Sequence, residues 1–192
     1  MLKPVFAALM VLIADPSQVQ HLTAPRGGPV MIDGRISAGE WRDASSLVLG
    51  RARIWVKQTS DFVCIAVEFP PDTHGFADLI ISPVSGQIID LHASAKLGER
   101  TLGKQGWSGW NWWNNDGWTA NVSRVDSFEQ RTFLPETARE YQIRRSRFPG
   151  KNWRMMVELS LEQKDGSYHA IALPANATEA DPSGWIELTF SP

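Results

Sequence analysis

The chain has 192 residues and a formal net charge of −2 at pH 7. A charge this close to neutrality argues against a nucleic-acid or anionic-membrane partner. Once an N-terminal segment is set aside, roughly 170 residues remain, enough for one domain with a sizeable core. The single cysteine, Cys64, cannot form an intramolecular disulfide, and its place in a predicted strand indicates a packed thiol.

Residues 1–20 are predicted to be a signal peptide. Lys3 precedes an uninterrupted apolar run from Val5 to Ala14, which Asp15 and Pro16 end. The run is too short to span a bilayer but suits a secretory signal. We therefore expect an extracytoplasmic protein, periplasmic or secreted, with one domain over residues 21–192 and no membrane span after signal removal. A buried N-terminal strand or helix is the alternative.

Two short runs are predicted to form a first β-hairpin. Ser60-Asp61 is a two-residue turn between strands 51–59 and 62–69. The register that it imposes brings Arg53 opposite Glu68 on a mixed outer face. The other face is uniformly apolar and is expected to be core: Ala52, Ile54, Val56, Val63, Ile65, Val67 and Phe69.

Period-2 alternation predicts further strands along the chain. Residues 76–82 and 87–95 should form a second hairpin, and 153–161 and 185–190 two later strands. Tyr141 to Phe148, which carries three arginines, is predicted as an edge strand, and Leu134 to Tyr141 as a short turn of helix. The predicted fold is all-β: an antiparallel β-sandwich of immunoglobulin-like or jelly-roll type with long loops and at most short helices.

The start of the domain carries a short motif. Ile32-Asp33-Gly34 is followed by Trp41, then by the first hairpin and by Asp78 to Pro83. This order resembles the family-9 carbohydrate-binding module and the related DOMON-like β-sandwiches over roughly residues 28–190. The resemblance implies a sandwich associated with polysaccharide-degrading enzymes, with calcium in some members and haem or sugar in DOMON relatives. It carries Ile32, Asp33, Gly34 and Trp41 over as structural positions.

Five of the nine tryptophans lie between Gly103 and Asn121. Strand phase assigns Trp41, Trp118 and Trp153 to the core, and Trp55 and Trp185 to outward faces. Trp rings stack on the C–H face of a pyranose, while Asn and Asp satisfy its hydroxyls. The predicted ligand-binding residues are therefore Trp107, Trp110, Trp112, Trp113, Asn114, Asn115 and Asp116. The same rings could instead close one end of the sandwich, or hold a quaternary ammonium beside Asp116.

Asp90, His92 and Ser94 share one predicted strand face. They raise a hydrolase hypothesis using Asp90, His92 and Glu99, but three side chains along one strand do not by themselves give a nucleophile–base–orienter geometry, so a solvated polar face is favoured. Haem held by Met155, Met156 or His92 is a minor alternative, and no zinc spacing is present. No residues are assigned to a metal.

The sequence thus predicts an exported, non-catalytic carbohydrate-binding domain. Its partner would be a polysaccharide or oligosaccharide stacked on the loop tryptophans, and no cofactor is expected beyond the calcium that the resemblance allows. Two alternatives stay open: a haem- or metal-binding DOMON-like module, and a structural or interaction domain without a small ligand.

Overall fold

The computed structural model describes residues 19–37, 39–83, 86–113, 116–121 and 136–192. These ranges contain fourteen strands and one 3-10 helix, Pro182–Gly184. The strands are β1 (His21–Ala24), β2 (Ser45–Leu49), β3 (Ala52–Gln58), β4 (Phe62–Glu68), β5 (Gly75–Pro83), β6 (Ile88–Ala93), β7 (Leu97–Gly103), β8 (Gly106–Trp107), β9 (Asn111–Trp112), β10 (Trp118–Ala120), β11 (Ala138–Arg144), β12 (Asn152–Glu162), β13 (Tyr168–Leu173) and β14 (Ile186–Phe190).

The strands form two sheets, as expected for a β-sandwich. The larger sheet has the order β1-β14-β12-β5-β6-β7-β8, with β13 paired to β12 and β9 paired to β7. The smaller sheet has the order β10-β11-β4-β3-β2. All strand pairs are antiparallel except β1 with β14, so the predicted fold class is confirmed.

The core lies between the inner faces of the two sheets. Every second residue of β3, β4, β5, β6 and β12 points into it, as period-2 alternation requires. Tyr141 is fully buried, and its hydroxyl donates to the Ala77 carbonyl of the opposite sheet at 2.7 Å. This hydrogen bond crosses an otherwise apolar interface between the sheets. Trp118 and Trp153, predicted as core, are 3% and 2% exposed.

The two predicted hairpins and the two later strands are confirmed. The first hairpin has the expected register, with Arg53 opposite Glu68 and its predicted apolar face buried. The second hairpin joins β5 to β6, and β12 and β14 lie where the alternation placed them. Cys64 is a buried thiol on the outer side of β4, packed in a cluster with Trp41 and Ala66.

Two predictions about the segment before residue 149 are wrong. Strand β11 ends at Arg144 and lies between β10 and β4, so it is not an edge strand. Arg145 and Arg147 belong to the following turn, where Arg145 donates to the Gln58 side chain. The predicted helical turn is a strand from Ala138 onwards, because its backbone pairs with β4; Leu134 and Pro135 lie outside the described residues.

The Ile-Asp-Gly motif and Trp41 are joined by one buried carboxylate. Glu140 Oε2 accepts from the backbone N–H groups of Asp33 and Gly34 at 2.9 and 2.8 Å, and Oε1 accepts from Trp41 Nε1 at 3.1 Å. Gly34 has φ +84, and a Cβ there would lie 2.8 Å from Asn121 Nδ2. The motif is therefore a structural clamp on the outer side of β11, as the resemblance implied.

Candidate functional site

Cross-strand pairing places the notable polar and aromatic side chains on the outer face of the larger sheet. One row across that face reads Ala172, Glu158, Asp78, His92, Gly98 and Trp112, one residue from each of six strands. The adjoining row reads Met156, Ile80, Asp90 and Arg100. Directly opposed side chains lie within contact distance of one another, so these two rows form one surface.

Three of the loop tryptophans form a layered structure that we call the tryptophan stack: Trp107, Arg100, Trp110 and Trp112. The Arg100 guanidinium lies 4.4 Å from the ring centroids of both Trp107 and Trp110. Trp110 then stacks on Trp112 at 5.1 Å and 24° between the ring planes. Because a cation between two rings is attracted to both faces, Arg100 fastens the loop to β7.

The missing side chain of Gly98 makes room for the tryptophan stack on the sheet. A Cβ at this position would lie 2.8 Å from Trp112 Cε3 and 3.1 Å from Trp110 Cε3. Real carbon contacts are near 3.5–4.0 Å, so any larger residue would push the rings outward. Gly98 is thus required by the close approach of two rings.

Trp112, at the end of the stack, and the next residue, Trp113, are 44% and 55% exposed. The Lys96 ammonium lies 5.7 Å from the centroid of the Trp112 ring. The same ring stacks on Trp110. Trp113 has φ +60, and its N–H donates to the Leu97 carbonyl at 2.7 Å. Trp107 and Trp110 are half-buried, so Trp112 and Trp113 offer most of the accessible indole surface.

Further aromatic rings continue from the stack across the sheet, and we call them the aromatic arc: Trp112, His92, Phe76 and Tyr168. Successive ring centroids are 5.8, 5.4 and 5.3 Å apart. Tyr168 is 55% exposed at the far end. Small side chains of β12 and β13 also lie beside the arc: Ser160, Ala170 and Ala172.

His92 is held at both ring nitrogens. Nδ1 lies 2.5 Å from Asp78 Oδ1, and Nε2 lies 2.8 Å from Ser94 Oγ. With the Nδ1 proton directed to the Asp78 carboxylate, Nε2 accepts the Ser94 hydroxyl proton. Ser94 Oγ also accepts from the Lys96 backbone N–H at 3.2 Å, which ties the hydroxyl into the turn that follows β6.

Four carboxylates, which we call the acidic group, lie on the same face: Asp78, Asp90, Glu158 and Glu179. Burial raises the pKa of Asp90, and the charge of Asp78 adds to the rise against the opposing effect of Arg100. Burial also raises the pKa of Glu158, and the charges of Glu179 and Asp78 add to it. Glu179 accepts from Trp107 Nε1 at 2.9 Å. Arg100 pairs with both Asp90 and Glu179, so its single positive charge is shared between two members of the acidic group.

The predicted ligand-binding residues are only partly brought together. Trp107, Trp110, Trp112 and Trp113 lie in one loop on the outer face, and Asn114 and Asn115 lie outside the described residues. Asp116 is exposed, and its carbonyl accepts from Arg147.

Two other sequence interpretations are wrong. Asp90 is 0% exposed rather than part of a solvated face, because Arg100 Nε covers its Oδ2 at 2.7 Å. Glu99 belongs to the inner side of β7, where it accepts from Trp118 Nε1 at 3.0 Å, so it does not join Asp90 and His92. Trp185 lies on an outward face, as predicted, and is buried there because the turn around residue 178 covers it.

The haem and metal alternatives gain no site from the part of the chain that is described. Met155 is in the core, and Met156 is buried in a separate cluster on the outer face. No group of three or more His, Cys, Asp or Glu side chains in the described ranges is arranged to hold a metal ion. In the same ranges, no helix is long and apolar enough to cross a membrane.

Comparison with solved structures identifies the fold. A family-9 carbohydrate-binding module from Caldicellulosiruptor kristjanssonii, solved in complex with cellotriose, aligns over 90% of this chain and 94% of its own, with a TM-score of 0.54 and 12% identity. The chain has the fold of a family-9 carbohydrate-binding module. A Bacteroides uniformis protein whose name proposes carbohydrate binding aligns over 91% of this chain and 100% of its own, with a TM-score of 0.56 and 9% identity. No family model matches, and comparison with curated proteins gives no significant match.

Several residues of this outer face were not among the site residues predicted from sequence: Arg100, Asp78, Glu158, Phe76 and Tyr168. The signal for one of them, Asp78, was present in the sequence. Continuing the period-2 alternation of both predicted strands and closing their turn brings Asp78 opposite His92. Arg100 carries no such signal, because β7 follows Ser94 without a recognisable turn motif.

Proposed function

We propose that this protein binds carbohydrate on the outer face of its larger sheet and performs no catalysis. The observation that carries the proposal is the ring layering: the tryptophan stack is fastened by Arg100 and leaves Trp112 and Trp113 exposed beside polar groups. A pyranose needs this combination of a rigid apolar face and neighbouring hydrogen-bonding groups. The sugar-binding names of both structural neighbours support it.

The test measures binding of cello-oligosaccharides and insoluble polysaccharides by calorimetry and by depletion from solution. Trp112→Ala and Trp113→Ala should each weaken binding about fivefold or more, since ring stacking contributes about 1 kcal/mol. Trp55→Ala is the matched control, because that half-buried indole lies on the smaller sheet and donates to Glu68. If glycan binding survives both loop substitutions, the exposed indoles of Trp112 and Trp113 are not the stacking surface. If the protein binds no glycan, the proposed function is wrong.

One arrangement on this face is of the kind that acyl-ester hydrolysis uses. The Ser94–His92–Asp78 chain of hydrogen bonds has the order of a nucleophile, a base and an orienting carboxylate. It differs from the trio considered in the sequence analysis, in which Asp90 took the place of Asp78. We expect no turnover, because Ser94 Oγ is engaged by the turn at Lys96. Ser94-dependent hydrolysis of nitrophenyl acetate, with fluorophosphonate labelling at Ser94, would replace the non-catalytic proposal.

We also infer that the protein is exported and works without a cofactor. The apolar run from Val5 to Ala14 supports export, and a single buried cysteine fits an oxidising compartment. Cell fractionation and the N-terminal sequence of the mature chain test this, since an intact Met1 in the cytoplasmic fraction would contradict it. Glycan affinity should be unchanged by a chelator, and a purified protein with a haem absorption band would overturn the cofactor-free proposal.

A further inference from the structure

The outer face holds more negative charge than its own cations neutralise. Glu158 and Asp78 are directly opposed on β12 and β5, and like charges in that position destabilise a sheet. His92 pairs with Asp78, and Arg100 pairs with Asp90 and Glu179. Among the described residues, Glu158 has no hydrogen-bond or ion-pair partner. This half-buried carboxylate therefore has an unused capacity to accept hydrogen bonds.

A second, independent observation concerns Asp90. Its side chain is fully buried, and Oδ1 has no hydrogen-bond partner within the described ranges. The charges that act on it are those of Asp78, Arg100 and Glu179, so it belongs to the same acidic group. An unpaired buried carboxylate oxygen is costly, and a positive charge arriving at this face would lower that cost.

The surroundings select the kind of cation. The aromatic arc runs alongside Glu158 and Asp78, with Phe76 two residues from Asp78 on the same face of β5. Aromatic rings favour an organic ammonium over a strongly hydrated metal ion, because its carbon-bound hydrogens pack on the ring faces. The described acidic side chains are also not arranged to hold a metal. A sugar that carries its own ammonium meets both requirements.

We propose that the glycan bound on this face carries protonated amines, as in glucosamine oligosaccharides, with Glu158 and Asp78 accepting from the ammonium group. The proposal rests on the proposed carbohydrate binding and names its substrate class. In this arrangement the pyranose ring lies against the aromatic arc and the exposed indoles. The amine points to the sheet between β12 and β5, and the small side chains of β13 lie on the other side of β12.

The experiment compares three oligosaccharides of equal length by calorimetry at mildly acidic pH: a glucosamine oligomer, its N-acetylated counterpart and a cello-oligosaccharide. The wild-type protein should bind the glucosamine oligomer about tenfold more tightly, as one charge-assisted hydrogen bond implies. The Glu158→Gln variant should bind all three oligosaccharides with about the same affinity. Glu68→Gln, which makes the same charge change on the outer face of the other sheet, should keep the preference.

Each outcome separates this inference from the proposed function. Equal wild-type affinities, or a preference that survives Glu158→Gln, would overturn the amine assignment and leave sugar binding in place. The wild type could also bind calcium, lose this binding in Glu158→Gln and show no preference for amines. That result would assign the carboxylates to a metal and would also overturn the amine assignment. Failure to bind all three oligosaccharides would overturn the proposed function itself. Addition of salt should reduce the preference of the wild type, since the attraction is between charges.

Discussion

The clamp around Glu140 makes a quantitative prediction about stability and pH. Burial raises the pKa of the Glu140 carboxyl from its ordinary 4.5 to about 7, against the lowering effect of the N–H groups of Gly34, Asp33 and Trp41. Between pH 4.5 and 7 the folded protein therefore retains a proton on Glu140 that the unfolded chain has already released. The stability contributed by protonated Glu140 is complete below pH 4.5 and is lost as the pH rises through 7.

The magnitude follows from that difference in pKa. At 1.36 kcal/mol for each pKa unit, the free energy of unfolding should fall by about 3 kcal/mol across this range because of Glu140. Glu140→Gln removes the titration. Its amide has one oxygen where the carboxyl group has two, so one of the three N–H donors loses its acceptor. We expect the variant to be less stable by about 1–3 kcal/mol below pH 4.5.

Urea unfolding followed by tryptophan fluorescence, at pH values from 4 to 8, measures both proteins. The stability gap, taken as wild type minus Glu140→Gln, should fall by about 3 kcal/mol as the pH rises, which brings it to about zero or reverses its sign, because only the wild type loses the proton. Asp90 and Glu158 also have raised pKa values, but both proteins contain them, so their effect cancels in the difference. A gap that stays constant or widens with pH would refute the reasoning.

Three further predictions concern buried contacts. Gly98→Ala should displace Trp112 and weaken glycan binding. It should also lower the free energy of unfolding by about 1–3 kcal/mol, because the added methyl group overpacks the site. Unchanged glycan affinity would show that the position of the Trp112 ring is not needed. Arg100→Met leaves the buried Asp90 carboxyl without its partner and should cost about 3 kcal/mol by urea unfolding, whereas adding Asp90→Asn should recover part of it; equal stabilities of the single and double variants would contradict this. Burial raises the pKa of Cys64 to about 11, so its reaction with a thiol reagent should proceed only as fast as unfolding, and rapid labelling of the native protein would disprove the buried thiol.

The fold was predictable because its strands are regular. Alternation over 51–69 located both faces of the first hairpin, since a two-residue turn leaves a single register. The arginines after Tyr141 misled the edge assignment for a physical reason. Charge discourages pairing only where the side chains lie on the strand, and Arg145 and Arg147 lie beyond its end.

The candidate site was less predictable because its contacts join distant parts of the chain. The sequence indicated that the loop tryptophans were unusual, but not that Arg100 would separate two of them. Gly98 carries no signal of its own. Its meaning arises only when β9 folds back onto β7 and lays Trp110 and Trp112 across the vacant position. Asp78 was within reach of the sequence, since the register of the second hairpin pairs it with His92.

The abundance of tryptophan in the loop is explained largely by the loop itself. Arg100 occupies one face of Trp107 and one face of Trp110, and Trp112 covers the other face of Trp110. Rings that are used in this way are not available to a ligand, yet they fix the position of the outermost ring. Since rigid aromatic surface loses little conformational entropy on binding, a ligand gains more from one fixed indole than from several mobile ones. The half-buried Trp107 and Trp110 therefore support the site, and the case for sugar stacking depends on Trp112 and Trp113 alone.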